Sequence, residues 1–551
     1  MNIQMDAIYQ ASYLNIMSAI MKELKLGELV DRLVPIDAQC RTRPSDIVQL
    51  LVLDILSGRQ ALVHLEEWAA RIDLQKLLHK DAYASQFNDD CIARHLDRLE
   101  KAGIHELVST FLLQTYKREN ISMRTFHGDT TSMSVYGAYD CPSDVLNITE
   151  GYSRDRQGAK QIQFGLIGNA DGIPIYGDVH DGNKSDKEWN PDVLRKLHEQ
   201  FAAVDLKEFI YVADSAAMSQ DTLQAAKAAK AYLITRGPNQ LRIVKQALSI
   251  ADEPDTSWSQ PLQFVTSKQG ATYRLFETHA SYYGHGVRLI VVESSALDRK
   301  KEKTLGHKRE AERQTLESAQ TSFGQTPFHC LEDAEQAAKQ WDQESSSLFH
   351  AVSVSVEARD VYKRKRGHPK AGSQPDQVTE YIVQVTFSPD EEAFQCARRK
   401  ASRFVLVTTV PDVLNEESMD SQAILELYKG QNNVEMNFSF LKDPYYTDEI
   451  YLKKPERVHV LGYLFLLVLV IYRVFQRRLR QHIIEQRPMK GAGGRTLTRP
   501  TGQAIFQVFQ YVQVVVFTLP DGLKHRQFGQ PLTYEQRRVL QVLGFTEEIY
   551  L

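Results

Sequence analysis

Between residues 120 and 236 the hydrophobic rhythm of the chain changes several times, and the order of those changes restricts the fold more than any other feature. SMRTFHGDTTS predicts a short strand ending at Asp129. QIQFGLIGNADGIPIYGDVH predicts two strands joined at Asp171-Gly172, a dipeptide that favours a tight hairpin turn. A helix is expected around NPDVLRKLHEQF. KEFIYVADSA then predicts a buried strand ending at Asp214, followed by a helix capped by Ser219. AYLITRG supplies one more strand. Three strands, helix, strand, helix, strand is an α/β order. Two aspartates, Asp129 and Asp214, fall at or just past the C-terminal ends of their strands.

The flanking segments read differently. Residues 1–118 predict an all-α N-terminal domain, with apolar positions recurring at three and four and with Pro44 and Gly103 as punctuation. The first part of the α/β core is expected over 119–248. Residues 249–400 carry alternating strand patterns such as AVSVSVEARD and EYIVQVTFS, interrupted by a long charged helical stretch from Asp298 to Gln343. This reads as a β-rich insertion. The core resumes over 401–482 with the strand FVLVTTV, a polar-striped helix and an apolar helix. Residues 483–551 read as a Gly-rich basic linker and a helical tail stopped by Gly544.

Bulk composition excludes little. With 551 residues the chain is long enough for several domains, and its net charge of −4 gives no hint of a nucleic-acid partner. Any such reading rests on local patches. The five cysteines are scattered without a CxxC pair, which points to reduced intracellular thiols and not to a disulfide framework or zinc site. The start MNIQMDAIYQ lacks the basic head and apolar run of a signal peptide. VHVLGYLFLLVLVIYRVF holds an unbroken apolar run of only about a dozen residues, short of the roughly 20 that span a bilayer. It reads as a buried core helix, and no membrane partner is expected.

The polar-striped helix carries the chemistry. Tyr428, Gln431, Glu435 and Lys442 return to nearly the same angle of a helix, while Leu427, Val434, Phe438 and Leu441 form an adjacent apolar stripe. Such a helix packs on one side and shows a carboxylate, an ammonium and a phenol on the other. Three acids from two strand ends and a helix suit hard divalent cations such as Mg2+. A pair of such ions about 3.5–4 Å apart serves phosphoryl transfer between nucleic-acid strands. The bland alternative is exposed carboxylates that cap turns, since the chain has 70 acids. His127 is read either as a further ligand or as a histidine packed into the sheet. Basic clusters at Tyr362–Gly372, with Arg364 and Arg366, at Arg398–Arg403 and at Arg477–Arg480 are candidate DNA contacts or solvated faces.

Asp129 in FHGDTTS, Asp214 in YVADSAAMS and the Tyr428–Glu435–Lys442 stripe resemble the DDE transposases of bacterial insertion sequences, in the large IS-four-like superfamily. Its signature, Tyr-x2-Arg-x3-Glu-x6-Lys, is similar to YKGQNNVEMNFSFLK here, with Gln431 in the arginine position. GNKSD (Gly182 to Asp186) and ITRGP also resemble segments of this group. The resemblance implies an RNase H-like mixed-sheet catalytic core, interrupted by the β-rich insertion and preceded by the all-α domain, whose candidate role is DNA-end binding. It implies Asp129, Asp214 and Glu435 as catalytic metal ligands for two Mg2+ ions per site, with Mn2+ able to substitute. Tyr428, Gln431 and Lys442 are expected to contact transposon-end DNA, and Arg364 and Arg366 to contact DNA from the insertion. Glutamine donates a hydrogen bond but lacks the charged bidentate fork of arginine, so weaker end binding is expected.

The implied activity is metal-dependent cleavage of double-stranded DNA at terminal inverted repeats and strand transfer into target DNA, cut-and-paste, by a homodimer on paired ends. The implied location is the cytoplasm, on the nucleoid when bound to DNA. Two other classes stay open at this point. One is a catalytically silent DNA-binding relative, the other a metal-dependent DNA nuclease on the same core.

Overall fold

The strand patterns between 125 and 236 fold as five strands: Thr125–Ser134, Lys160–Gly168, Pro174–Asp181, Phe209–Ala213 and Ala231–Arg236. Numbered in that order they lie 3-2-1-4-5, antiparallel through 3-2-1 and parallel through 1-4-5. This is the RNase H-like arrangement within an α/β fold. The hairpin turns where Asp171-Gly172 predicts. Gly172 takes φ +77°, and Asn169 Oδ1 accepts the backbone N–H groups of Asp171 and Ile173 at 3.1 and 2.9 Å. Parallel strands four and five need a crossover, which helix Gln220–Ala228 supplies. Ser219 caps that helix by accepting the Thr222 N–H at 3.2 Å.

The computed structural model describes residues 4–551 apart from 37–38, 141–142, 152–157, 203–205, 207, 265–269, 298, 364–375, 448–449 and 520–521. It divides into two units, one of Met1–Arg236, Ser281–Val287 and Val407–Leu551, the other of Gly237–Ala280 and Arg288–Leu406.

In the first unit the apolar segment is a single helix, Pro455–Arg480, and every residue of its most apolar window is buried. Length and composition alone would let it cross a membrane, but its surroundings are protein. It lies against strand Pro174–Asp181 at glycine contacts. A Cβ on Gly177 would meet Leu466 at 2.7 Å, and one on Gly462 would meet Val179 at 2.7 Å. Its first turn is tied to the N-terminal region by Arg457, which donates to both oxygens of Asp97 at 2.7 and 2.8 Å.

The front of the chain is helical as expected, with Leu14–Glu23, Leu26–Leu33, Pro44–Leu56, Asp89–Lys101 and Ile104–Arg118 as its main elements. Pro44 opens its helix, and Gly103 precedes the last one at φ +86°. One stretch departs from the helical reading. Gln4–Gln10 is a strand, paired antiparallel with Gln513–Thr518, which in turn pairs with Lys524–Phe528. The tail therefore contains strands beside its expected final helix, Tyr534–Leu543, which stops at Gly544 with φ +79°. A strand whose partner lies some 500 residues away leaves no local hairpin signal. The VVVF run signals extended structure only through its β-branched residues.

The second unit mixes helices with strands. His350–Lys363 and Asp376–Pro389 pair along their full 14 residues. The charged stretch expected as one helix is two, Arg299–Gln325 and Leu331–Glu344. The cationic cluster at the end of helix Glu391–Ser402 is held in ion pairs. Arg398 pairs with Glu302 at 2.9 Å, Lys400 with Asp252 at 3.0 Å, and Arg403 with Asp252 and Glu293 at 2.6 and 2.8 Å. Arg364 and Arg366 lie outside the described residues.

Candidate active site

Asp129 is not at the end of its strand, as the sequence suggests, but at the fifth of its ten positions. The strand continues because its outer half keeps pairing with Lys160–Gly168, from Asp129 opposite Leu166 to Ser134 opposite Gln161. What ends near Asp129 is the parallel ladder, whose last described pair is His127 with Val212. Asp129 and Asp214 each lie two residues beyond that last pair, and the Asp214 charge acts on the Asp129 carboxyl. Asp214 follows the last residue of strand Phe209–Ala213, and its Oδ1 accepts the Ala216 N–H at 2.9 Å. Backbone pairing thus brings two acids 85 residues apart to one edge. On the opposite face of the strand, Gly128 makes room for Tyr211, whose hydroxyl would stand 2.3 Å from an added Cβ.

Glu435 comes from elsewhere. The expected single helix is two, Ser421–Lys429 and Asn432–Leu441, joined through Gly430 and Gln431. The joint keeps right-handed helical backbone but tightens to i→i+3 bonds. Gln431 N–H donates to Tyr428 O at 3.2 Å, Asn433 N–H to Gly430 O at 3.1 Å, and Val434 N–H to Gln431 O at 3.0 Å. The reason for glycine there is contact: a Cβ on Gly430 would lie 2.8 Å from Cε1 of His127. His127 is buried in the sheet two residues from Asp129, and burial lowers its pKa to about 4, so the ring is neutral. His127 is packed into the sheet, one of its two sequence readings.

The other side of the Glu435 helix is fixed by amides. Asn437, fully buried, donates to Gly172 O at 2.8 Å and accepts from Arg473 Nε at 2.6 Å, while Asn433 donates to Ala170 O. The hairpin turn and the apolar helix therefore clamp the segment together. Val434, Phe438 and Leu441 are buried as the apolar stripe predicts. Glu435 is exposed, Gln431 and Tyr428 are half-buried, and Lys442 is exposed at the C-terminal cap, two turns beyond the acid.

Electrostatics tie these elements into one locality. Burial pushes the Asp129 carboxyl up to about 7, and the charges of Asp214, Asp186 and Glu435 add to that rise against the hydrogen bond from Thr130 N–H. The Tyr428 hydroxyl is raised by burial, with Asp214, Glu435 and Asp129 raising it further and Arg236 opposing them. Among the described residues no three Asp, Glu, His or Cys side chains stand close enough to grip an ion as they are arranged. The cluster is an open group of carboxylates. Its donors still fit Mg2+ in kind, being hard oxygens whose mutual repulsion a cation relieves.

Two members were not assigned from sequence. Asp186 opens helix Asp186–Ala202 and accepts a hydrogen bond from the Thr130 hydroxyl beside Asp129. Arg236 ends the fifth strand. GNKSD and ITRGP contain them, and Arg236 sits at a C-terminal strand end beside the acid-bearing strand, where α/β sheets hold their sites. The third basic cluster is spent on packing: Arg477 pairs with Asp171 at 3.2 Å, Arg478 with Glu23 and Glu119, both at 2.6 Å, and Arg480 donates to Pro500 O at 2.9 Å.

Residues 6–113 match the family described as "Domain of unknown function (DUF4277)". No curated protein matches the chain. Among solved structures, the piggyBac transposase synaptic complex with hairpin DNA aligns at 8% identity and TM-score 0.36, covering 90% of this chain and 80% of that one. The Mos1 transposase paired-end complex with left transposon end aligns at 12% identity and TM-score 0.15, covering 36% and 61%. Residues 129–471, more than half of the chain and beginning at Asp129 itself, match the family described as "Transposase DDE domain", and the chain belongs to that family of transposases.

Proposed function

We propose that this transposase cleaves double-stranded DNA at the terminal inverted repeats of an insertion sequence and joins the freed ends to target DNA, by cut-and-paste. The observation that carries the proposal is the gathering of acids from separate parts of the chain: Asp129 is half-buried in the sheet, burial above all pushes its carboxyl up, and the charges of Asp214, Asp186 and Glu435 add to that rise. Asp129, Asp214 and Glu435 are the proposed metal ligands. Two Mg2+ ions, or Mn2+ in their place, supply Lewis-acid activation of the attacking and leaving oxygens when bound.

The protein's own part is to hold the acids and the DNA. The sheet fixes Asp129 and Asp214, and the Gly430 and Asn437 contacts fix the Glu435 helix. Tyr428 and Arg236 lie at the acids and offer a hydroxyl and a guanidinium to phosphate oxygens. Gln431 and Lys442 are proposed as further DNA contacts along the same helices. We assign the action to the cytoplasm, on the nucleoid, by a homodimer on paired ends.

The test is incubation with a fragment carrying the element's own terminal repeats, in Mg2+ and in EDTA. Metal-dependent cuts at the repeat ends with joined products are expected. Cuts without joining would replace the proposal with a nuclease. Specific binding without cuts in Mg2+ or Mn2+ would leave a silent DNA-binding relative.

A further inference from the structure

Helices Leu26–Leu33 and Ile104–Arg118 border a groove of about 370 Å³ lined by Lys25, Glu28, Arg32, Gln114, Lys117 and Arg118. All four cations are exposed. Glu28 meets Lys25 at 3.3 Å in a solvated pair of little energetic weight. The other acids nearby are committed elsewhere. Glu23 and Glu119 are held by Arg478, both at 2.6 Å, and Asp31 is held by Arg43 at 3.4 Å and the Ser45 N–H at 3.2 Å. Arg478 reaches both Glu23 and Glu119 from the apolar helix, so one core cation offsets part of the charge of the acids that flank the groove. Four lining cations against one lining carboxylate leave a local excess of positive charge, on a chain whose net charge is −4.

We infer that this groove seats the phosphate backbone of duplex DNA, a contact surface built from none of the residues of the acid cluster. The inference rests on the transposase reading, which supplies duplex DNA as the partner. Lys25 and Arg32 are seven residues apart, about 10 Å along a helix axis, and Lys117 and Arg118 face them from the end of the second helix. Arginine forks and a glutamine amide match phosphate oxygens. Contacts of this kind position DNA without reading its sequence.

Fluorescence anisotropy tests it with two duplexes of equal length, one carrying the terminal repeat and one scrambled, titrated across salt concentration. For the full chain with Arg32→Gln, Lys117→Gln and Arg118→Gln together, the slope of log affinity against log salt becomes shallower by about 2–3 on both duplexes. Arg32→Gln alone changes it by about 1 and serves should the triple variant melt early. Glu28→Gln acts oppositely, tightening binding to both. Unchanged affinity and slope in folded variants would overturn the groove while leaving the transposase reading intact. Failure of the unaltered chain to bind either duplex at low salt would overturn both.

Discussion

Asp129 and Asp214 are held by the backbone, whereas Glu435 is held by side chains. Asp129 lies in the sheet and Asp214 directly follows the neighbouring parallel strand, so a one-residue slip between the two strands would turn one acid away from the other. Glu435 rides a short helix whose placement depends on a missing Cβ at Gly430 and on amide contacts from Asn433 and Asn437. A half-site built into a ladder is rigid. A segment pinned by a few contacts is easier to displace, and on the proposed reading it is the side that carries the exposed Glu435 to the ions. Substitutions on the two sides should therefore fail differently.

The largest effect is expected on the rigid side. Asp129→Asn should reduce cleavage in Mg2+ to the level seen in EDTA while DNA binding persists. It should also stabilise the ion-free protein. The folded carboxyl titrates at about 7 against an ordinary 3.8, so the native state favours the protonated form. Stability is then lost as pH rises from about 4 through 7 and stays lost above it. Asparagine carries no such penalty, so its melting temperature should exceed the wild type's by a few degrees at pH 8 and by less at pH 5. For the same reason Mg2+ binding to the wild type should tighten as pH rises through about 7, where Asp129 gives up its proton. Calorimetry that found Mg2+ affinity flat over that range would remove Asp129 from the ligands.

The pinned side predicts partial losses. Gly430→Ala sets a methyl against the His127 ring and should push the Glu435 helix outward, slowing cleavage by roughly 100-fold. Pairing it with His127→Ala should recover much of the rate, since the room is restored. A single variant as active as wild type would show that the glycine contact does not position Glu435. Asn437→Ala strands a buried arginine nitrogen and the Gly172 carbonyl, so it should cost about 2–4 kcal/mol in denaturant unfolding. Its cleavage rate should fall less than that of Gly430→Ala, because Asn433 still holds the turn.

The same contrast explains what the sequence disclosed. The succession of strands and helices, the Asp171-Gly172 turn and the buried stripe of Val434, Phe438 and Leu441 were legible because each is a local signal: alternation, a turn dipeptide, a helical period. The break at Gly430 was not, since its cause is a histidine 303 residues earlier in the chain. Asp186 and Arg236 stood in recognised segments, yet their roles depend on which strands become neighbours. Pairing of Gln4–Gln10 with Gln513–Thr518 is the extreme case of a partner with no local trace. Of the basic clusters left open between DNA contacts and solvated faces, two are largely held in ion pairs, because charge runs show composition and not partners.

Gln431→Arg should have the smallest effect, and the structure sharpens it. The family's signature has arginine there, and Gln431 sits in the tightened joint, half-buried, one residue from the glycine that touches His127. A guanidinium at this place would join Arg236, whose charge already reaches Tyr428. If end DNA passes the joint, the added phosphate contact should tighten binding by up to about tenfold at low salt and steepen the salt dependence by about 1. If Arg236 already occupies that phosphate, the like charges compete and affinity stays level. Combining Gln431→Arg with Arg236→Gln separates the cases. Wild-type affinity in the double variant, with a weakened Arg236→Gln single, would mean that the two positions serve one phosphate. Equal weakening in both would mean that residue 431 never meets the DNA.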